Sequence, residues 1–193
     1  SPWGMGNPGW SIECSAMAKA LLGETLDIHT GGEDHISVHH NNEIAQSEGS
    51  SGKPLARYWL HNAFLTIAGE KVSKSLGNTY VLADVLLKGM HPLALRYLFL
   101  QAHYRTPLSF TWETLAGANE ALSRLWEHAR IIRKDSGGNS TPSRTQAQLL
   151  MHMRDDLASP RVVARLWETI QDKDLSQKEK WGVLVCAESV LGL

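Results

Sequence analysis

Apolar and polar positions divide this chain into two stretches of different rhythm. In the first, Ile12, Met17, Leu21 and Leu22 precede Gly23 and predict a helix over residues 11–22, which Ser11 is placed to cap. Leu26-Asp27-Ile28-His29 predicts a short strand, and Thr30 to Asp34 a loop at its carboxyl end, where open α/β sheets hold ligands. Val38 to Gln46 predicts a second helix, and Ser47 to Pro54 a flexible loop rich in Gly and Ser. Tyr58 to Ile67 reads as a buried strand that turns at Ala68-Gly69-Glu70.

After residue 80 the rhythm becomes helical. Leu82–Lys88 and Pro92–Ala102 are predicted helices parted by Gly89-Met90-His91. From Trp112 to Lys134, Leu115, Ala118, Leu122, Leu125, Ala129 and Ile132 recur at steps of three and four, the stripe of a helix packed on its neighbours. Residues 135–144 read as a linker, and 145–193 as three short helices with Pro160 near the start of the second. The pattern predicts an α/β part followed by an all-helical part.

Composition narrows the function classes. The chain has 193 residues, 42% hydrophobic and 20% charged, so a soluble globular protein with a real core is expected. With 19 basic and 20 acidic residues it is no strongly basic nucleic-acid binder, and any RNA contact must be local. Two cysteines, Cys14 and Cys186, make no disulfide framework and fit a reducing cytoplasm. No apolar run is long enough for a membrane span. The opening, Ser1-Pro2-Trp3-Gly4, reads like the middle of a domain, so a fragment is expected.

Two clusters carry chemistry. Lys71-Val72-Ser73-Lys74-Ser75-Leu76-Gly77-Asn78 puts two ammonium groups and two hydroxyls in one short loop, suited to the oxygens of a triphosphate and to charge that develops as pyrophosphate leaves. Upstream, Cys14 joins His39 and Glu43, whose i, i+4 spacing places them on one helix face. His40, about a quarter turn away, is not expected to share their metal. Four of the nine histidines lie within residues 29–40. The spacing alone admits either a metal site or a metal-free polar pocket, and it supplies three ligands where a closed site needs four.

At these residues the chain resembles the cysteinyl-tRNA synthetases, a family of class I aminoacyl-tRNA synthetases. The likeness runs through Ser1-Pro-Trp-Gly to Pro8-Gly-Trp-Ser-Ile-Glu-Cys-Ser-Ala-Met17, Asp27-Ile-His-Thr-Gly-Gly-Glu-Asp34 and His39-His-Asn-Asn-Glu-Ile-Ala-Gln-Ser-Glu48. It continues in Tyr58-Trp-Leu-His61, the lysine loop, which is similar to the family's KMSKS signature, and His103-Tyr-Arg-Thr-Pro-Leu-Ser-Phe110. Met153-Arg-Asp-Asp-Leu-Ala-Ser-Pro160 resembles the family's helical region.

The resemblance implies an α/β fold: residues 1–80 as the second half of a Rossmann-like catalytic domain, 81–134 as a helical stem-contact region, 135–144 as a linker and 145–193 as a helical, DALR-like tRNA-binding region. It implies ATP-dependent activation of cysteine and transfer to tRNA(Cys), with L-cysteine, ATP with Mg2+ and tRNA(Cys) as partners of a cytoplasmic monomer. Cys14, His39 and Glu43 match zinc ligands, the fourth being a cysteine of the absent amino-terminal half. Zinc taking the substrate thiol as thiolate would separate cysteine from serine, which a pocket does poorly by shape. Trp10 matches an aromatic that closes on the amino acid; Gly31, Gly32 and Asp34 match the loop at the adenosine; His29 would orient a neighbour; Lys71 and Lys74 would meet the triphosphate. Ser11 stands where the family has His, removing one polar group from the pocket. The fragment alone is expected to be inactive. Two other readings are a cysteine ligase of mycothiol synthesis, which shares the catalytic domain, and a non-catalytic RNA-binding fragment. The helical tail favours the tRNA enzyme over the first, and the retained lysine loop argues against the second.

Overall fold

The computed structural model describes residue 2 and residues 4–6, 9–67, 69–71 and 79–193. It divides into two units, Ser1–Phe64 and Leu65–Leu193.

The first unit holds helix α1 (Ser11–Leu22), strand β1 (Leu26–Gly32), a 3-10 turn (Glu33–His35), helix α2 (His39–Ser51) and strand β2 (Ala56–Asn62). β1 and β2 pair in parallel, with Leu26 opposite Ala56, His29 opposite Trp59 and Gly32 opposite Asn62. α1 packs on α2. Three expectations are corrected here. Ser11 is the first residue of α1 and not its cap; Trp10 holds the cap position, with no side-chain cap bond. The predicted loop from Ser47 is helical to Ser51, because the Ser50 and Ser51 hydroxyls donate to the Ser47 carbonyl (3.1 and 2.8 Å) and Gly52 closes the helix in the left-handed conformation (φ 68°). β1 runs on through Gly32, where a loop was expected.

In this unit the fully buried apolar side chains are few, Leu26 and Leu55, while Ser11, Ser15, His39, His40, Glu43 and Ser47 are all buried among the described residues. Its interior is polar by composition, and burial of such groups is tolerated only when they bond to one another.

The second unit begins with strand β3 (Leu65–Ile67), strand β4 (Glu70–Lys71) and strand β5 (Leu108–Phe110) in the order β4-β3-β5. β3 pairs antiparallel with β4 and parallel with β5. The single strand expected over Tyr58–Ile67 is therefore two strands in two sheets, and Tyr58 is exposed rather than buried. Helices α3 (Leu82–Leu87), α4 (Pro92–Leu100), α5 (Trp112–Asp135), α6 (Arg144–Arg154), α7 (Ser159–Gln171) and α8 (Gln177–Leu191) make up the rest.

Sequence punctuation explains their ends. Pro92 follows the capping His91, whose Nδ1 accepts from the Leu93 amide (3.2 Å). Ser176 and Glu179 form a reciprocal box, Glu179 N–H to Ser176 Oγ (3.3 Å) and Ser176 N–H to Glu179 Oε2 (2.9 Å). Leu115, Ala118, Leu122, Leu125 and Ile132 of α5 are buried, as the stripe predicted. They meet Tyr97 and Leu98 of α4, Val162 and Leu166 of α7, and Val183 and Leu191 of α8 in one core. No described helix is long and apolar enough to cross a membrane.

Candidate metal centre

Helix α2 presents His39, His40 and Glu43 to the inside of the first unit, each less than a tenth exposed. Cys14 reaches them from α1. Ligand atoms of Cys14, His39 and Glu43 all lie within 4.8 Å of one another. Burial, and then the nearby Glu43 and Glu13 carboxylates, push the Cys14 thiol above its ordinary value.

Glu43 Oε2 is the hub. His29 Nε2 donates to it from β1 (2.9 Å), while His39 Nε2 stands 3.6 Å and His40 Nε2 3.9 Å away. His40 shares a hydrogen bond with His61 of β2 (Nδ1 to Nε2, 2.7 Å). Burial is the main cause, and His29 the next, of a His40 pKa lowered to about 4, so this ring is neutral near pH 7.

As expected, His40 is not in the group of Cys14, His39 and Glu43, but it does face Glu43 from the other side. Residues three apart on a helix are neighbours as much as those four apart, and His40 is i−3 to Glu43. His29, His40 and Glu43 form a second group of metal-capable side chains within 4.8 Å of one another. The histidine density between residues 29 and 40 was the signal in the sequence; what it could not give was the strand register that brings His29 and His61 to the same place.

Two groups face the other side of His39. Trp10 Nε1 donates to His39 Nδ1, with the rings tilted at 47° and 5.0 Å between centroids. Ser11 Oγ is 2.9 Å from the same nitrogen. Ser11 thus presents its hydroxyl to the pocket. An indole N–H can only donate, so with Trp10 engaged the Nδ1 is an acceptor and Nε2 carries the proton. The hydroxyl of Ser11 can instead accept from Nδ1–H, the tautomer that frees the Nε2 lone pair toward Glu43. Trp10 is 61% exposed.

The other expected residues lie as follows. Gly31 and Gly32 are the last residues of β1, opposite His61 and Asn62. Asp34 is exposed in the 3-10 turn and sets its carboxylate over Gly32. Lys71 is in β4 of the second unit, paired with Thr66. Lys74 lies outside the described residues. Arg96 and Arg105 are engaged within the second unit. Arg96 Nε donates to the Leu191 carbonyl at the end of α8 (2.5 Å), and Arg105 Nε to Asp156 Oδ2 (2.8 Å).

A parallel strand pair with a ligand-capable cluster beside its glycine-bearing carboxyl end matches where open α/β sheets hold ligands. The family described as tRNA synthetases class I (C) catalytic domain matches residues 1–120, and the chain belongs to that family. Cysteine–tRNA ligases are among the similar curated proteins. That of Treponema denticola is 41% identical over 216 aligned positions, covering 100% of this chain and 44% of that protein. That of Legionella pneumophila (strain Corby) is 46% identical, covering 91% and 38%. The chain thus spans less than half the length of these relatives. Among solved structures, the leucyl-tRNA synthetase in the ternary complex from Agrobacterium radiobacter K84 aligns with a TM-score of 0.66 at 15% identity, over 86% of this chain and 25% of that one, a likeness of fold.

Proposed function

We propose that this chain is part of a cysteine–tRNA ligase. The whole protein uses ATP to convert cysteine to cysteinyl-adenylate and passes the acyl group to tRNA(Cys), working as a cytoplasmic monomer. The observation that carries the reading is the convergence of Cys14, His39 and Glu43 in a chain 41% identical to a cysteine–tRNA ligase.

The donor set fits zinc. It offers a thiol, an imidazole and a carboxylate, buried and close enough to share one ion, with a fourth ligand expected outside this chain. Zinc held there supplies a thiophilic Lewis acid that favours a thiolate over an alcohol, which is the chemistry needed to separate cysteine from serine. The chain's own residues do the rest. His29 fixes Glu43 by its 2.9 Å bond, and Ser11 can hold the His39 tautomer that frees Nε2. Trp10, over His39, is placed to cover the amino acid and exclude water. Gly31, Gly32 and Asp34 would meet the adenosine, the glycines by close backbone approach and Asp34 through the ribose or base. Lys71 and Lys74 would hold the triphosphate and stabilise charge on departing pyrophosphate. Catalysis of this kind rests on positioning: the cysteine carboxylate attacks the α-phosphate, and the terminal adenosine of the tRNA then takes the acyl group. The helices from Arg144 to Leu191 support tRNA over an amino sugar as acceptor.

The test is cysteine-dependent ATP–pyrophosphate exchange, with serine as control, on this chain joined to the amino-terminal portion of a relative. Exchange with cysteine and not serine is expected. No exchange, with zinc bound and the fold intact, would overturn the reading in favour of an RNA-binding fragment.

A further inference from the structure

Glu43 is one carboxylate facing two donor sets. Cys14 and His39 stand on one side, His29 and His40 on the other, and both triads have ligand atoms within 4.8 Å of one another. We infer that His29, His40 and Glu43 form a second site, made only of nitrogen and oxygen donors, for a divalent transition ion such as Ni2+, and that it competes with the Cys14 set for Glu43.

The geometry is close to that of a loaded site. Metal–ligand bonds of 2.0–2.1 Å put neighbouring donors about 2.8–3.0 Å apart in octahedral and about 3.3–3.4 Å apart in tetrahedral arrangements. His29 Nε2 already lies 2.9 Å from Glu43 Oε2, and His40 Nε2 lies 3.9 Å from it. The ion would replace the proton now held between His29 and Glu43. His40 also has the outer partner a ligating imidazole needs: with Nδ1–H donating to His61 Nε2 (2.7 Å), its lone pair is on Nε2, the nitrogen nearer Glu43 Oε2 at 3.9 Å. The strand is shaped to the ring. A Cβ on Gly31 would come within 2.6 Å of His40 Cε1 and 2.8 Å of His35 Nδ1, so only glycine leaves the imidazoles where they stand. Trp59 closes the apolar side, its ring edge-on to His29 with 4.8 Å between centroids.

Donor softness separates the two triads. A thiolate favours softer ions such as Zn2+, whereas imidazole and carboxylate without sulfur serve Ni2+ and Cu2+ as readily as Zn2+. All three distances converge on the single oxygen Oε2, so a metal on one side draws the carboxylate from the other. Nickel would thus displace an ion from the Cys14 side without touching Cys14. The inference does not depend on the proposed ligase activity.

The experiment is calorimetric titration of Ni2+ into the full chain carrying Cys14→Ser and His39→Ala, which removes the sulfur-bearing set. One bound Ni2+ is expected. Adding His29→Gln keeps a hydrogen bond to Glu43 yet removes a ligand, and should weaken Ni2+ by more than the roughly 10- to 100-fold typical of losing an outer partner. His40→Ala should do the same, with helical circular dichroism checking the fold of each variant. If the double variant keeps its fold and binds no Ni2+, or if His29→Gln leaves the affinity unchanged, the site does not exist and His29 only holds Glu43. Competition is read separately, as release of zinc from the zinc-loaded unmodified chain on adding Ni2+, abolished by His40→Ala. Simultaneous binding of both ions would overturn the competition. The Cys14 set has its own readout, the sulfur-to-cobalt charge-transfer band of the Co2+-loaded chain, so failure of one site is distinguishable from failure of the other.

Discussion

Gly31→Ala adds one methyl group at a crowded point of β1. The backbone there is in a region any residue adopts, so the penalty is contact alone. The new Cβ would stand 2.6 Å from His40 Cε1 and 2.8 Å from His40 Nε2 and His35 Nδ1, while ordinary contact begins at 3.4 Å, so the His40 ring must retreat by several tenths of an ångström. It has nowhere easy to go. The ring is 3% exposed, bonded to His61, and edge-on to His29 at 4.8 Å. Overpacking of this kind costs about 1–3 kcal/mol. Hydrogen exchange of the β1 and β2 ladder amides reads the first unit alone, and they should exchange roughly 5- to 150-fold faster. Gly117→Ala in α5 is the control of opposite sign. Gly117 is exposed with no atom within 4 Å of an added Cβ, so the substitution should stabilise that helix by about 0.5–1 kcal/mol. Unchanged exchange at β1 and β2 in Gly31→Ala would refute the close packing of the histidines on the strand, and with it the cradle for His40.

Other outcomes follow from the second unit. Leu122→Ala removes a fully buried side chain from the centre of the helical core and should cost about 2–5 kcal/mol in urea unfolding. Arg96→Ala frees the Leu191 carbonyl and should speed exchange in the last turn of α8 without altering α5. Asp156 and Leu157 hold positive φ (51° and 53°) in the α6–α7 turn, and Asp156 is tied down by Tyr104, Arg105 and His103. The Tyr104 hydroxyl first, then Arg105, hold the Asp156 carboxyl below its ordinary value. That contribution is present above the unfolded value of about 3.9 and is lost as pH falls through the lower folded one, so Asp156→Asn should flatten the fall in unfolding midpoint below pH ~4.

The second unit was legible in the sequence where one period governed. The stripe of α5 needed nothing but its own spacing to find the core, and Pro160 marked the start of α7. The first unit was legible only in part, because its polar residues act across elements. Ser11 has the chemistry of a cap, but its hydroxyl lies against His39, 28 positions away. The serines after Ser47 have turn-forming composition, yet in place they bond back to a carbonyl one turn earlier and extend α2. The Cys14, His39 and Glu43 set could be chosen from residue type and spacing. The His29, His40 and His61 array could not, since it depends on a parallel register that puts residue 29 beside 59 and residue 31 beside 61.

In the first unit the core and the candidate site are the same residues. Glu43 is 1% exposed and takes the place a leucine would hold in an apolar core, while the surrounding imidazoles satisfy one another and that carboxylate. Burying such groups is favourable only while the network is complete, since a partner removed leaves its neighbour unpaired in a poor solvent for charge. Two consequences oppose each other. A metal entering the cluster gains donors already desolvated and oriented, so little further ordering stands in its way. A truncation in the cluster loses fold and ligand together, so lost activity alone says nothing about which residues touch the ion. Variants that keep shape and hydrogen bonding while removing a lone pair, as His29→Gln does beside Glu43, separate the two effects. Under the proposed competition the sulfur of Cys14 is the deciding atom: with it the shared carboxylate would serve a zinc-type site, and without it a nickel-type one.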